Sequence, residues 1–154
     1  MRLRTLLDLT LFEYGVLLLA APLLASVRLV LWLLPSGIIV RALKRFEGAK
    51  PIGSPESSAV LPTVVWAVGA VARRVPRATC LTQAIAARML LLWFGCDARL
   101  CLGVAHTDDG TFRAHAWLER EGRPILGGAG VRRLTRLPLL SDEAHIPVLP
   151  SLTR

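Results

Sequence analysis

Hydrophobic positions crowd the first 46 residues so densely that the interruptions carry the information. Leucine, alanine and valine predominate, and breaks at Pro22 and at Pro35-Ser36-Gly37 predict two or three helices. The longest charge-free runs, Tyr14 to Val27 and Leu29 to Val40, each contain a proline and fall short of the ~18 apolar residues that mark a spanning helix. Arg28 and Arg41 interrupt the remainder. The pattern favours a helical hairpin that packs on the domain or on a partner protein. Peripheral membrane contact through residues 1–46 is the competing reading, and a two-helix membrane hairpin is the least favoured.

Between Glu47 and Ser58 the composition turns to Gly, Pro, Ser and Lys, which reads as a linker. The expected organisation is an apolar helical segment at 1–46, a linker at 47–58 and one compact domain at 59–154. Val60 to Arg74 reads as a helix with Pro62 in its first turn, where a missing N–H costs nothing, and Pro76 stops it. Thr79 is a natural N-cap for a helix from Cys80 to Phe94, with Leu81, Ala84, Ile85, Met89 and Leu92 expected on its apolar face and Gly95 as terminator.

Period-two alternation then replaces the helical spacing. Ala98 to Val104 and Phe112 to Arg120 read as a hairpin joined through Asp108-Asp109-Gly110. In the second strand Phe112, Ala114, Ala116 and Leu118 point one way, and Arg113, His115, Trp117 and Glu119 the other. Glu121-Gly122 predicts a tight turn into a third strand, Arg123 to Leu126, and the glycines at 127, 128 and 130 leave the rest unassigned. The fold class is α+β: a helix opening at Cys80 packed on an antiparallel sheet, preceded by apolar N-terminal helices. No internal repeat or low-complexity segment is present.

Composition narrows the setting. The 154 residues suit one domain, and 53% hydrophobic against 19% charged residues is rich enough in apolar side chains to predict contact with a membrane or partner. The net charge of +8 is almost wholly arginine, Lys44 and Lys50 being the lysines, which favours acidic peptides or anionic headgroups. No basic stretch interleaved with aromatics, zinc-finger spacing or recognition helix points to nucleic acid. Cys80, Cys96 and Cys101 form no CxxC pair and no even set, and no signal-peptide cleavage site follows the apolar start. Reduced thiols and a cytoplasmic location, with or without membrane association, are expected.

Cys80 is the candidate nucleophile. An isolated cysteine is most often a small space-filling hydrophobe, but this one opens a helix, where unpaired amides and the positive end of the macrodipole stabilise a thiolate. His115 is the candidate base, against the plainer reading of a core histidine bonded to backbone; its alanine neighbours leave room for substrate. Helix donating nucleophile and strand donating base is the arrangement of cysteine proteases and transglutaminases. Arg73, Arg74 and Arg77 receive no catalytic role, His106 and His145 read as bystanders, and Cys96 and Cys101 as structural. No cofactor or metal site is expected, since a zinc site lacks the usual close ligand pairs.

Thr79-Cys80-Leu81 at the head of an alanine- and leucine-rich helix, followed by the strand Phe112-Arg113-Ala114-His115-Ala116-Trp117-Leu118-Glu119, closely resembles the transglutaminase-like leader peptidases of lasso-peptide maturation. The likeness spans roughly Val60 to Leu140, and the leucine-rich start resembles the stand-alone form, in which leader recognition is a separate polypeptide. The resemblance implies a cysteine peptidase that cuts the leader from a ribosomally made precursor, with Cys80 attacking and His115 moving the proton. The implied partners are the precursor's leader, the separate recognition protein and an ATP-dependent macrolactam cyclase. The family pattern places an aspartate after the histidine strand to orient the imidazole. Here a two-residue turn would set His115 opposite Gly128, and a carbonyl near Gly127 is the expected substitute; Glu119 is about 13 Å away along the strand, and Asp142 is far in sequence. A transglutaminase-like acyltransferase or deamidase, and a non-catalytic partner-binding module, are the alternatives.

Overall fold

The computed structural model describes residues 9–53, 59–76, 78–106, 112–128, 131 and 134–137. Helices α1 (Leu11–Leu33), α2 (Ser36–Glu47), α3 (Val60–Ala72) and α4 (Cys80–Trp93) come first. Strands β1 (Arg99–His106), β2 (Phe112–Arg120), β3 (Arg123–Leu126) and β4 (Thr135–Leu137) follow and form one antiparallel sheet in the order β3-β2-β1-β4. The class is α+β, with the apolar helix at the start.

α1 begins at a capping box, Thr10 and Glu13 each bonding the other's backbone amide. It then runs straight through Pro22, so the break expected there does not occur. Proline removes one i to i−4 bond, but Pro22 and Leu18, whose carbonyl loses its donor, both lie on the exposed side of the helix. The real break comes before Pro35, where Leu34 is extended at φ −88° and ψ 139° because a following proline disfavours the helical region.

The other side of α1 belongs to the core. Val16, Ala20, Leu24 and Val27 are buried in one cluster with residues of α3, α4 and the sheet. The residues of the expected linker that the structure describes are also docked. Ile52 donates its N–H to the carbonyl of Leu92 at 2.8 Å, and Gly53 lies so close to the backbone of residues 93–95 that a Cβ would collide at 2.5 Å. Residues 54–58 lie outside the described ones.

α4 is the central element, with helices on one side and the sheet on the other. The single apolar face expected of it is therefore too narrow: Ala86, Ala87, Leu90 and Leu91 are buried, while Met89 is exposed. Gly95, at φ 82°, ends it in a Schellman arrangement, Cys96 N–H bonding the Leu91 carbonyl and Gly95 N–H that of Leu92. Arg88, also buried, donates Nε–H to the Ala98 carbonyl at 2.8 Å and a guanidinium N–H to the Phe46 carbonyl, and it stacks over the Phe46 ring at 4.5 Å. Its charge is thus shared between α2 and the entry to β1.

Alternation along β2 is as the sequence implies: Ala116 and Leu118 join the helical core, and Trp117 and Glu119 are buried on the other face. A bulge between Leu118 and Glu119 shifts the β2–β3 register by one residue.

Candidate active site

Cys80 is the first residue of α4 and half-buried. Thr79 caps the helix: its hydroxyl accepts from the Thr82 amide at 3.3 Å and pairs with the Thr82 hydroxyl at 2.9 Å. Helical bonding starts with Gln83, whose N–H reaches the Thr79 carbonyl at 3.1 Å. The amides of Cys80 and Leu81 precede that first bond, and such donors point outward from a helix start. They belong to Cys80 itself and to its neighbour in the chain.

His115 sits on β2 opposite Gly103, half-buried, with Nε2 2.7 Å from the carbonyl oxygen of Gly127. A carbonyl only accepts, so Nε2 carries the proton and the Nδ1 lone pair is left free in the neutral ring. Gly127 lies just past β3 in the left-handed region at φ 72°. A Cβ there would stand 3.1 Å from the Ala116 carbonyl, 3.3 Å from Trp117 Cβ and 3.4 Å from His115 Nε2. The expected carbonyl is therefore present at Gly127. The bulge corrects the expectation that Gly128 stands opposite His115: β3 pairing ends at Leu126 against Leu118, and the chain then turns Gly127 onto the ring.

Trp117 holds the other side of the imidazole. The two rings are stacked, 6.3 Å between centroids at 13°. The indole lies against Gly103, where a Cβ would collide with it at 2.9 Å, and its Nε1–H donates to Glu119 at 2.8 Å. Arg136 of β4 closes the cluster, bonding the same carboxylate oxygen at 2.6 Å with its guanidinium 5.7 Å from the indole centroid. Glu119 thus steadies the tryptophan beside His115. A glycine inside a strand marks a close approach, so Gly103 carried a readable signal; Arg136, in a strand of three exposed residues, carried none.

The three thiols differ. Cys96 is buried, with Arg120 directed at its sulfur at 3.5 Å. Cys101 is buried on the Trp117 face, and burial, then the neighbouring Glu119 charge, push its thiol up to about 11. Cys80 is the most open of the set.

Cys80 opens α4, and His115 lies on the Trp117 face of β2, opposite the face whose Ala116 and Leu118 join the helical core. Arg120, at the end of β2, reaches Cys96 just beyond α4. Among the described residues no hydrogen bond joins the thiol to the ring. Asp142, His145, Arg77 and the Asp108-Asp109-Gly110 loop lie outside the described residues, as does the side chain of His106. Arg73 and Arg74 are exposed after α3.

A helix opening on a cysteine, followed by an antiparallel sheet with a backbone-anchored histidine, coincides with a match to the model of the transglutaminase-like superfamily over residues 23–138. The chain belongs to the transglutaminase-like superfamily. The match begins within α1 and ends just after β4, so it takes in α2, α3, α4 and the whole sheet. Members of the transglutaminase-like superfamily are commonly cysteine peptidases or acyltransferases. No curated protein and no solved structure matches the chain.

Proposed function

We propose that the protein is a cysteine peptidase that removes the leader from a ribosomally made lasso-peptide precursor, with Cys80 as nucleophile and His115 as general base. The observation that supports this reading is a histidine on β2 whose Nε2 is bound to a backbone carbonyl, in a chain whose α4 opens on a half-buried thiol behind a side-chain cap. The family membership and the FRAHAWLE strand support it.

In the proposed reaction the Nδ1 of His115 takes the thiol proton as Cys80 Sγ attacks the scissile carbonyl carbon. Charge on the carbonyl oxygen is met by the Cys80 and Leu81 amides. The C–N bond breaks as the proton passes to the leaving amine. Water, deprotonated by the same ring, then cleaves the thioester to release the leader's carboxylate and restore the thiol. The pair closes when substrate seats, since catalytic hydrogen bonds often tighten only in the complex. A neutral carbonyl orients the ring without the charge of an aspartate; a thiol tolerates that better than a serine hydroxyl because it is the stronger acid. A separate recognition protein presents the leader, and an ATP-dependent cyclase uses the freed amine.

Purified chain, precursor and recognition protein are incubated and the products weighed by mass spectrometry. Leader release by the parent and none by Cys80→Ala or His115→Ala is the expected result. Equal cleavage by Cys80→Ala removes this thiol from the mechanism, and a precursor altered in mass without being cut assigns the site to acyl transfer or deamidation instead.

A further inference from the structure

α1 presents an apolar surface along its exposed side, with Arg28 at its margin. Leu11, Leu18, Pro22, Leu29 and Leu33 fall within roughly 60° of one line at 100° per residue, and all five are exposed. The helix is long and apolar enough to cross a bilayer, yet only 22% of its most apolar stretch is buried inside the fold. A core helix of a soluble domain would show the reverse. A removable signal would not supply Val16, Ala20, Leu24 and Val27 to the core. Those same residues hold α1 against α3 and α4, so it is kept lengthwise on the surface of the domain.

What surrounds this stripe is basic. Arg41, Lys44 and Arg45 are exposed on α2, with Lys50 just beyond, and Arg73 and Arg74 are exposed after α3. Val75, next to that arginine pair, lines a surface recess together with Arg28, Leu29 and Trp32. The one acidic side chain described from Leu9 to Gly95 is Glu13, which is buried in its capping box. Trp32 stands 71% exposed near one end of α1. Val30 and Leu34 carry the apolar surface over into a groove of about 320 Å³ between α1, α2 and α4. An apolar helix face with a tryptophan near its end and a rim of lysine and arginine is complementary to the headgroup and acyl boundary of a membrane. The exposed cations of the helical half favour anionic lipid.

We infer that the helical half docks in the plane of an anionic bilayer, α1 lying along the interface with its exposed leucines among the acyl chains and the α2 cations at the headgroups. The sheet remains on the aqueous side. This docking stands independently of any chemistry at Cys80.

Flotation of the full chain with vesicles tests it. Vesicles of equal phosphatidylglycerol and phosphatidylcholine are expected to carry the protein upward, phosphatidylcholine alone to leave it behind, and added salt to weaken the binding. Leu18 and Leu29 are 72% and 52% exposed, so Leu18→Glu with Leu29→Glu leaves the core intact. That double variant, its fold checked by circular dichroism, should lose about tenfold in bound fraction. Arg41→Glu, Lys44→Glu and Arg45→Glu together should abolish the lipid preference. Failure of the parent to float with anionic vesicles overturns the inference, as does binding unchanged in the double variant. A discrete oligomer that ignores vesicles and is dispersed by the double variant also overturns it, making the stripe a subunit interface.

Discussion

The nucleophile and the base of the proposed pair are held in place by different means. Cys80 opens a helix that is buried on almost every side, tied by a side-chain cap at its start and a Schellman turn at its end. His115 is held by one hydrogen bond to a backbone carbonyl and by one ring, and both supports depend on glycines, Gly127 and Gly103. Packing shared over a whole core fixes the sulfur, whereas a few contacts fix the imidazole. Disturbances near the base should therefore cost activity sooner than equal disturbances near the nucleophile.

Trp117→Ala is the harshest challenge to this contrast. The indole is fully buried, so its loss should cost ~3–5 kcal/mol of stability in urea unfolding. A loss below ~1 kcal/mol would mean that the sheet face does not depend on it. Gly127→Ala acts more locally, adding strain at a positive φ and a methyl beside Nε2. About 2 kcal/mol on the barrier, a fall of roughly thirtyfold in kcat/KM, is expected, with a shifted pH profile for alkylation of Cys80 and a melting temperature near the parent's. Turnover and profile both unchanged would deny Gly127 its positioning role.

Cys101 reports on the same face through pH. Below the ordinary thiol value of 9.0 both folded and unfolded chains hold the proton, and its contribution is intact. Above it the unfolded chain ionises first while the folded thiol waits until about 11, so stability falls across that window, by on the order of 1–2 kcal/mol, and then levels. Cys101→Ala should flatten the curve; an unchanged slope would place its cause elsewhere. Smallest of all, Thr79→Ala removes the cap of α4 and should cost ~1 kcal/mol, with the proposed leader release nearly retained. A thermal melt and a cleavage assay check it, and loss of cleavage with a modest loss of stability would show the nucleophile side to be as fragile as the other.

Much of this arrangement was legible in the residues. Thr79, Cys80 and Gly95 delimit α4 because capping and left-handed termination are local, and β2 and β3 follow from alternation and the Glu121-Gly122 turn. A carbonyl near Gly127 beside His115 was expected from the two-residue turn, but the bulge that brings it there was not. Elsewhere tertiary structure outweighed local pattern. Pro22 was tolerated because it faces outward, Met89 was exposed because α4 is contacted from two sides, and β4 is too short to alternate. The register slip at Leu118 and Glu119 had no local marker.

Arg88 has a consequence for how the chain comes apart. One guanidinium bonds the carbonyls at positions 46 and 98 from a buried site, so loosening either the strand entry or the second helix takes a bond from a cation in the interior. Trimming the leading helices should therefore collapse the remainder instead of liberating a smaller working enzyme. Deuterium uptake in both regions should consequently rise in a single step under mild denaturant.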